Sequence, residues 1–244
     1  MGSAIIGFMR WSRMTIAFAM MIALHVNAFG QEASGVVDFA RKFLEDSRGL
    51  WTSPLHARRA DVKWLVPLGI SASVLLPSDR GISREVVESP RIQRPSNIIS
   101  KAGSFPVFVA PAAMIGFGRL TKHEQIGNAG TVGLEAVLQS AVIVQALKAA
   151  TNRERPSKLR GEGGFWDGGK SFPSGHAITS WALASAMADQ YPKKKWVGIA
   201  GYGAATAIGL SRIGGQNHFA SDVLVGSSLG WLIGHYVSRH HQTD

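Results

Sequence analysis

Apolar residues in this chain gather into runs, and the runs beyond residue 104 are longer and more evenly spaced than those before it. Five stretches, about 104–118, 131–151, 175–190, 196–212 and 219–238, are mostly apolar with small residues interspersed. They are too long for ordinary strands, and β-branched residues do not dominate them, so the pattern predicts helices. Gly201, Ala205 and Gly209 recur at four-residue steps, as do Gly226, Gly230 and Gly234. An isolated Gly weakens a helix by about 1 kcal/mol relative to Ala. Ridges of this kind therefore predict close helix–helix packing. The expected fold class is all-α, a helical bundle with five core helices in one domain spanning 104–244.

The preceding chain reads differently. Arg10 and Arg13 stand before the apolar run Met14–Val26, and small residues follow, with Val26-Asn27-Ala28 fitting a cleavage site. This is the order of a secretory signal over 1–30. An uncleaved anchor helix extending to Phe29 satisfies the same pattern, and both place the following chain across the membrane, in the cell envelope. Residues 31–103 form an N-terminal extension: an amphipathic helix around Val36–Leu44, a loop with Pro54, and an apolar run Trp64–Leu76. That run carries Pro67 and stops at Pro77, short of the roughly 20 residues needed to span a bilayer. Residues 78–103 are polar, contain Pro90 and Pro95, and read as a long loop.

Charge and composition narrow the function. The formal net charge is +10. Its cations are scattered, with neither a sustained Lys/Arg tract nor an aromatic–basic alternation, which argues against nucleic acid. An anionic membrane surface or an anionic substrate remains. The chain has no cysteine, which excludes disulfides, thiolate metal sites and a cysteine nucleophile.

Three polar clusters interrupt the apolar helices. Lys148 and Arg155 are seven residues apart, and Pro156 follows. If the helix continues, both cations lie on nearly one face at its end. Pro173-Ser174-Gly175-His176 follows a Gly-rich loop, Gly161–Gly169, and opens the helix Ala177–Gln190. Ser174 is a plausible N-cap, and free N–H groups at a helix start make an anion site. Ser211-Arg212 is followed by His218 and Asp222, spaced i, i+4 so that both side chains share a helical face. An Asp accepting from one imidazole nitrogen leaves the other free to attack. An i, i+4 surface ion pair, a basic helix terminus and an ordinary capped helix are the bland alternatives to each cluster taken singly. Short turns make successive helices antiparallel, so all three clusters fall at the same end of the bundle. Two Arg, one Lys, two His, one Asp and a helix N-terminus converging there describe a phosphate pocket with a nucleophile.

At every fixed position these three segments resemble the signature of the type 2 phosphatidic acid phosphatase (PAP2) superfamily. It includes lipid phosphate phosphatases, bacterial non-specific acid phosphatases and vanadium haloperoxidases. The resemblance covers roughly residues 127–238 and implies a metal-independent, cofactor-free phosphatase acting on phosphomonoesters or diphosphates. It implies that Lys148, Arg155 and Arg212 hold the phosphoryl oxygens, with Ser174 and the Gly175 N–H adding hydrogen bonds. His218, oriented by Asp222, would attack phosphorus to form a phosphohistidine. His176 would protonate the leaving alkoxide. His25, His56, His123 and His235 lie outside the motifs and are expected to be structural or solvent-facing.

The expected substrate is a phosphorylated lipid or a small phosphomonoester. Counting 14–29 and the five later helices as six spans puts the catalytic end outside. Arg119–Lys122 and Lys193-Lys194-Lys195 then lie on the cytoplasmic side, as the positive-inside rule requires. Glu135, Gln139, Gln145 and Asp189 within or at the ends of these helices argue the other way. A soluble periplasmic acid phosphatase is the alternative, and a vanadium haloperoxidase a more remote one.

Overall fold

The computed structural model describes residues 32–53, 62–87, 90–157 and 162–242. Eight helices and no strand occur among the described residues. The candidate signal or anchor segment, His25 and His56 lie outside them. The chain divides into two compact units, residues 1–54 and 55–244. In the first, helix α1 (Glu32–Thr52) covers the expected amphipathic segment, with Phe39 and Phe43 stacked one turn apart at 6.3 Å.

The second unit holds α2 (Val62–Val87), α3 (Pro90–Ser104), α4 (Pro106–Thr121), α5 (Glu124–Thr151), α6 (Gly175–Gln190), α7 (Lys195–Gly214) and α8 (Ala220–His240). The last five are the five expected core helices, with α5 starting at Glu124 rather than 131. The expected loop over 78–103 is not a loop. Helix α2 runs through Pro67 and Pro77, each costing about 3 kcal/mol in a helix interior, and α3 follows with Pro90 as its first residue. Tertiary contact sustains both. The buried residues Asp79 and Ser83 tie α2 to the site end of the bundle. On α3, Ser96 and Ser100 are buried, one turn apart, and the helix packs along α7. A Cβ on Gly214 of α7 would lie 2.2 Å from Ser96 Oγ. Because the buried stripe of α3 is serine rather than aliphatic, its polarity imitates a loop.

The small-residue ridges pack as expected. Helix α8 lies against α6, and a Cβ on Gly230 would sit 2.2 Å from the Ile178 carbonyl, one on Gly234 2.2 Å from that of Ala182. Much of the core is alanine, with Ala129, Ala136, Ala177, Ala182 and Ala186 fully buried. Backbones this close leave no room for larger side chains. Helices α5 and α7 end, and α6 and α8 begin, at one end of the bundle. Among the described residues one helix, Glu124–Thr151, is long and apolar enough to cross a membrane, and half of its apolar window is buried.

Candidate active site

Helix α5 stops at Thr151 because Asn152 turns left-handed (φ 43°), its N–H returning to the Lys148 carbonyl and its side-chain amide donating to Ala149 O at 2.8 Å. Lys148 thus lies in the last turn of α5, whereas Arg155 lies beyond the helix. The expectation that both share one helical face is corrected: an αL cap terminates the helix four residues before Pro156. The chain then folds back on this end. Trp166 N donates to Thr151 O at 2.8 Å, Gly169 N to Asn152 O at 2.9 Å and Ser171 N to Arg153 O at 2.9 Å. Gly169 is required there, since a Cβ would lie 2.1 Å from the Arg153 carbonyl.

Ser174 is the N-cap of α6, fully buried, its hydroxyl oxygen accepting from Ala177 N at 3.5 Å. Its own N–H donates to Asp222 O at 3.0 Å, which joins α6 to the first turn of α8. Gly175 begins the helix, with Lys148 Nζ 3.4 Å from where a Cβ would be. His176 follows in the first turn.

Arg212 is in the last turn of α7 and buried; Nη1 donates to Ser100 Oγ, and Nε has no hydrogen-bond partner among the described residues. A buried guanidinium with an unmatched N–H is a donor held ready for an anion. After α7 a tight turn delivers His218. Asn217 N and His218 N both donate to the Arg212 carbonyl, and Gln216, left-handed at φ 55°, is held by Ser83 of α2 at 2.8 Å.

His218 is 2% exposed. It precedes α8 rather than lying on it, so the expected shared helical face with Asp222 is corrected too. Nδ1 lies 2.7 Å from the Ser171 carbonyl and 3.6 Å from Asp222 Oδ2. A carbonyl only accepts, so Nδ1 carries the proton and Nε2 of the neutral ring keeps its lone pair. The carbonyl, not the carboxylate, makes the bond that selects the tautomer. Asp222 stands within electrostatic reach of the ring, 0% exposed. Its Oδ2 accepts from the Ser171 hydroxyl at 2.5 Å and from Phe219 N at 2.9 Å, while Oδ1 accepts from Arg153 Nη1 at 2.6 Å.

Burial, which disfavours the charged form, lowers the His218 pKa from 6.5 to about 4 against the opposing pull of Asp222. His176 is likewise lowered to about 4, first by burial and then by the charges of Arg212, His218, Lys148 and Arg155. All four of those residues, drawn from two helix ends, a loop and a turn, bear on one imidazole. The eight expected site residues come together at this end of the bundle.

Residues 130–244 match the family model described as PAP2 superfamily. A curated lipid A 1-phosphatase of Porphyromonas gingivalis is 33% identical over 127 residues, 52% of this chain and 27% of that protein. The chain thus spans about a quarter of that relative's length. Among solved structures, a transmembrane PAP2-type phosphatidylglycerolphosphate phosphatase from Bacillus subtilis is 26% identical. It covers 73% of this chain and 96% of its own, with a TM-score of 0.55. Residues 130–244 thus resemble the PAP2 superfamily. These relatives are phosphatases.

Three residues at the PAP2 site escaped the sequence reading. Ser171 supplies both the carbonyl for His218 and the hydroxyl for Asp222. Arg153, 3% exposed, bonds Asp222, Ser221 Oγ (2.8 Å) and Asp79 Oδ2 (2.7 Å), with its Nε on Gly163 O at 3.1 Å. Phe165 and Phe219 cover its guanidinium at 4.9 and 4.5 Å. Asp79 reaches in from α2. Arg153 is one of two arginines before Pro156, which is a signal of sorts; Asp79 carried none, because its segment reads as loop.

Proposed function

We propose that this chain is a metal-independent phosphatase that removes a phosphoryl group from a phosphorylated lipid through a phosphohistidine on His218. One observation carries this reading: an unprotonated Nε2 on buried His218 stands at the same bundle end as Lys148, Arg155, Arg212 and the start of α6. The cations and the Gly175 N–H would neutralise the phosphoryl oxygens as His218 Nε2 attacks phosphorus and the ester bond breaks. The attacking ring becomes cationic, and the Asp222 carboxylate 3.6 Å away stabilises it. His176, neutral when the site is empty, would regain its proton beside a bound phosphoryl dianion and give it to the leaving oxygen. A water then releases phosphate from His218.

The donor set supports independence from Mg²⁺. The cluster is cationic, and every carboxylate oxygen of Asp79 and Asp222 already accepts a hydrogen bond, whereas Mg²⁺ wants free carboxylates. Two relatives named for lipid phosphates support the substrate class. So do exposed apolar side chains such as Leu120 on α4 (87%) and Ile199 on α7 (74%), which suit a surface in contact with lipid. Detergent-purified protein should release phosphate faster from a lipid phosphomonoester than from a soluble aryl phosphate. Activity should survive excess EDTA, and vanadate should compete. Equal rates on the two substrates would favour a non-specific acid phosphatase. Loss on chelation, restored by a divalent ion, would defeat the metal-free mechanism.

A further inference from the structure

Asp79 lies outside the PAP2-matched residues and outside all three motifs, yet it is 1% exposed and bonded to the catalytic end three times over. Its Oδ1 accepts from Ser221 N at 3.0 Å, and its Oδ2 accepts from the Ser221 hydroxyl and from Arg153 Nη2 at 2.7 Å. Arg153 Nη1 then donates to Asp222 Oδ1 at 2.6 Å and to Ser221 Oγ at 2.8 Å. The result is a buried chain of charge, Asp79–Arg153–Asp222, with one cation shared between two anions.

We propose that Asp79 is a positioning residue for phosphoryl transfer: it shares Arg153 with Asp222 and fixes the guanidinium, so that a net negative charge stays in place beside His218. The proposal rests on the phosphatase reading above. A lone Arg153 would neutralise Asp222 and weaken its field on the ring when that ring becomes cationic. With Asp79 present the Asp79–Arg153–Asp222 triad carries one net negative charge, and the planar guanidinium is held at both ends of its fork. The Phe165 and Phe219 rings over its plane prevent it from tilting away. Ser221 bridges two of these residues by donating to Asp79 and accepting from Arg153. Helix α2 thereby becomes part of the catalytic apparatus although it touches no substrate group.

Asp79→Asn keeps the shape and the acceptor for Ser221 N but removes the charge. On an aryl phosphate its kcat should fall about ten- to a hundredfold, the scale of a misplaced catalytic group, with KM within about twofold of wild type. The decisive measurement is a cycle with Asp222→Asn. In that background Asp79→Asn should lower the thermal midpoint as before yet change kcat by less than about twofold, because the carboxylate it serves is gone. An undiminished kcat in the folded single variant, or equal kcat losses in both backgrounds, would overturn the proposal. If Asp79→Asn does not fold, Ser221→Ala removes the bridge without altering charge. It should lower kcat several-fold at constant KM, and a wild-type kcat would overturn the proposal equally. Absence of phosphate release by the wild-type protein would instead sink the phosphatase reading, so the two failures are distinguishable.

Discussion

The two ends of the bundle both hold histidine–carboxylate pairs, and they use them in opposite ways. At the end away from the PAP2 site, His235 Nδ1 sits 2.5 Å from Asp189 Oδ2 and His241 Nε2 sits 2.8 Å from Glu135 Oε2. The His235 ring also stacks on Trp231 at 5.4 Å. These carboxylates bond directly to the rings and pin α8 to α6 and α5. At the site end the carboxylate stands off at 3.6 Å, committed to Arg153, Ser171 and a backbone N–H, while a carbonyl takes the imidazole proton. Lys148, Arg155 and Arg212 stand at the end where the ring is left with a free nitrogen. The shorter contact is thus the structural one. In the proposed mechanism the carboxylate would act on the charged intermediate without capturing the resting ring, a role that a fully bonded Asp222 suits.

Exchanging the roles of these pairs in experiment should break the comparison if it is wrong. His218→Ala should lose all measurable turnover, at least about a thousandfold, and acid-quench trapping should find no phosphorylated protein. His235→Ala should stay within about twofold in kcat while lowering the thermal midpoint, since it removes a packed, hydrogen-bonded ring. Comparable losses in both variants would mean that the distinction drawn here is false.

A smaller effect sharpens the roles of the two site histidines. General acid catalysis contributes about 10²–10⁴-fold and matters most for poor leaving groups. His176→Ala should lose that much on an alkyl phosphate and far less on an aryl phosphate, whose phenolate departs unaided. It should still form the phosphohistidine from the aryl substrate. Equal losses on both substrates would reassign His176 to phosphate binding.

The smallest expected signal is a titration. With its pKa lowered from 6.5 to about 4, His218 should be only about 3% protonated at pH 5.5, against about 90% for an unperturbed imidazole. Ring-carbon NMR of labelled histidine, assigned with His218→Ala, reads this directly. Because the folded value lies below the unfolded one, His218 costs no stability above about pH 6.5 and destabilises progressively as pH falls from there to about 4. A midpoint near 6.5 would mean that the ring is not held dry.

The helical class, the five core helices and their small-residue ridges follow from sequence alone, because apolar periodicity and four-residue glycine spacing are local properties of the chain. The gathering of the candidate site residues at one bundle end was legible for the same reason: helix ends are written in caps, prolines and charge, and antiparallel connection brings alternate ends together. Tertiary structure decided the rest. That 78–87 and 90–103 are helical depends on serines buried against α7 and on an aspartate buried against α8, which no hydropathy pattern rewards. Arg155 and His218 were placed on helices by spacing, and an αL asparagine and a tight turn put them off. The bond that sets the His218 tautomer comes from a backbone carbonyl, a group that every residue carries and no side-chain motif can announce. Asp79 and Arg153 meet across 74 positions. Local sequence encodes propensity over a few turns, whereas a buried charge network exists only where distant segments exclude water together.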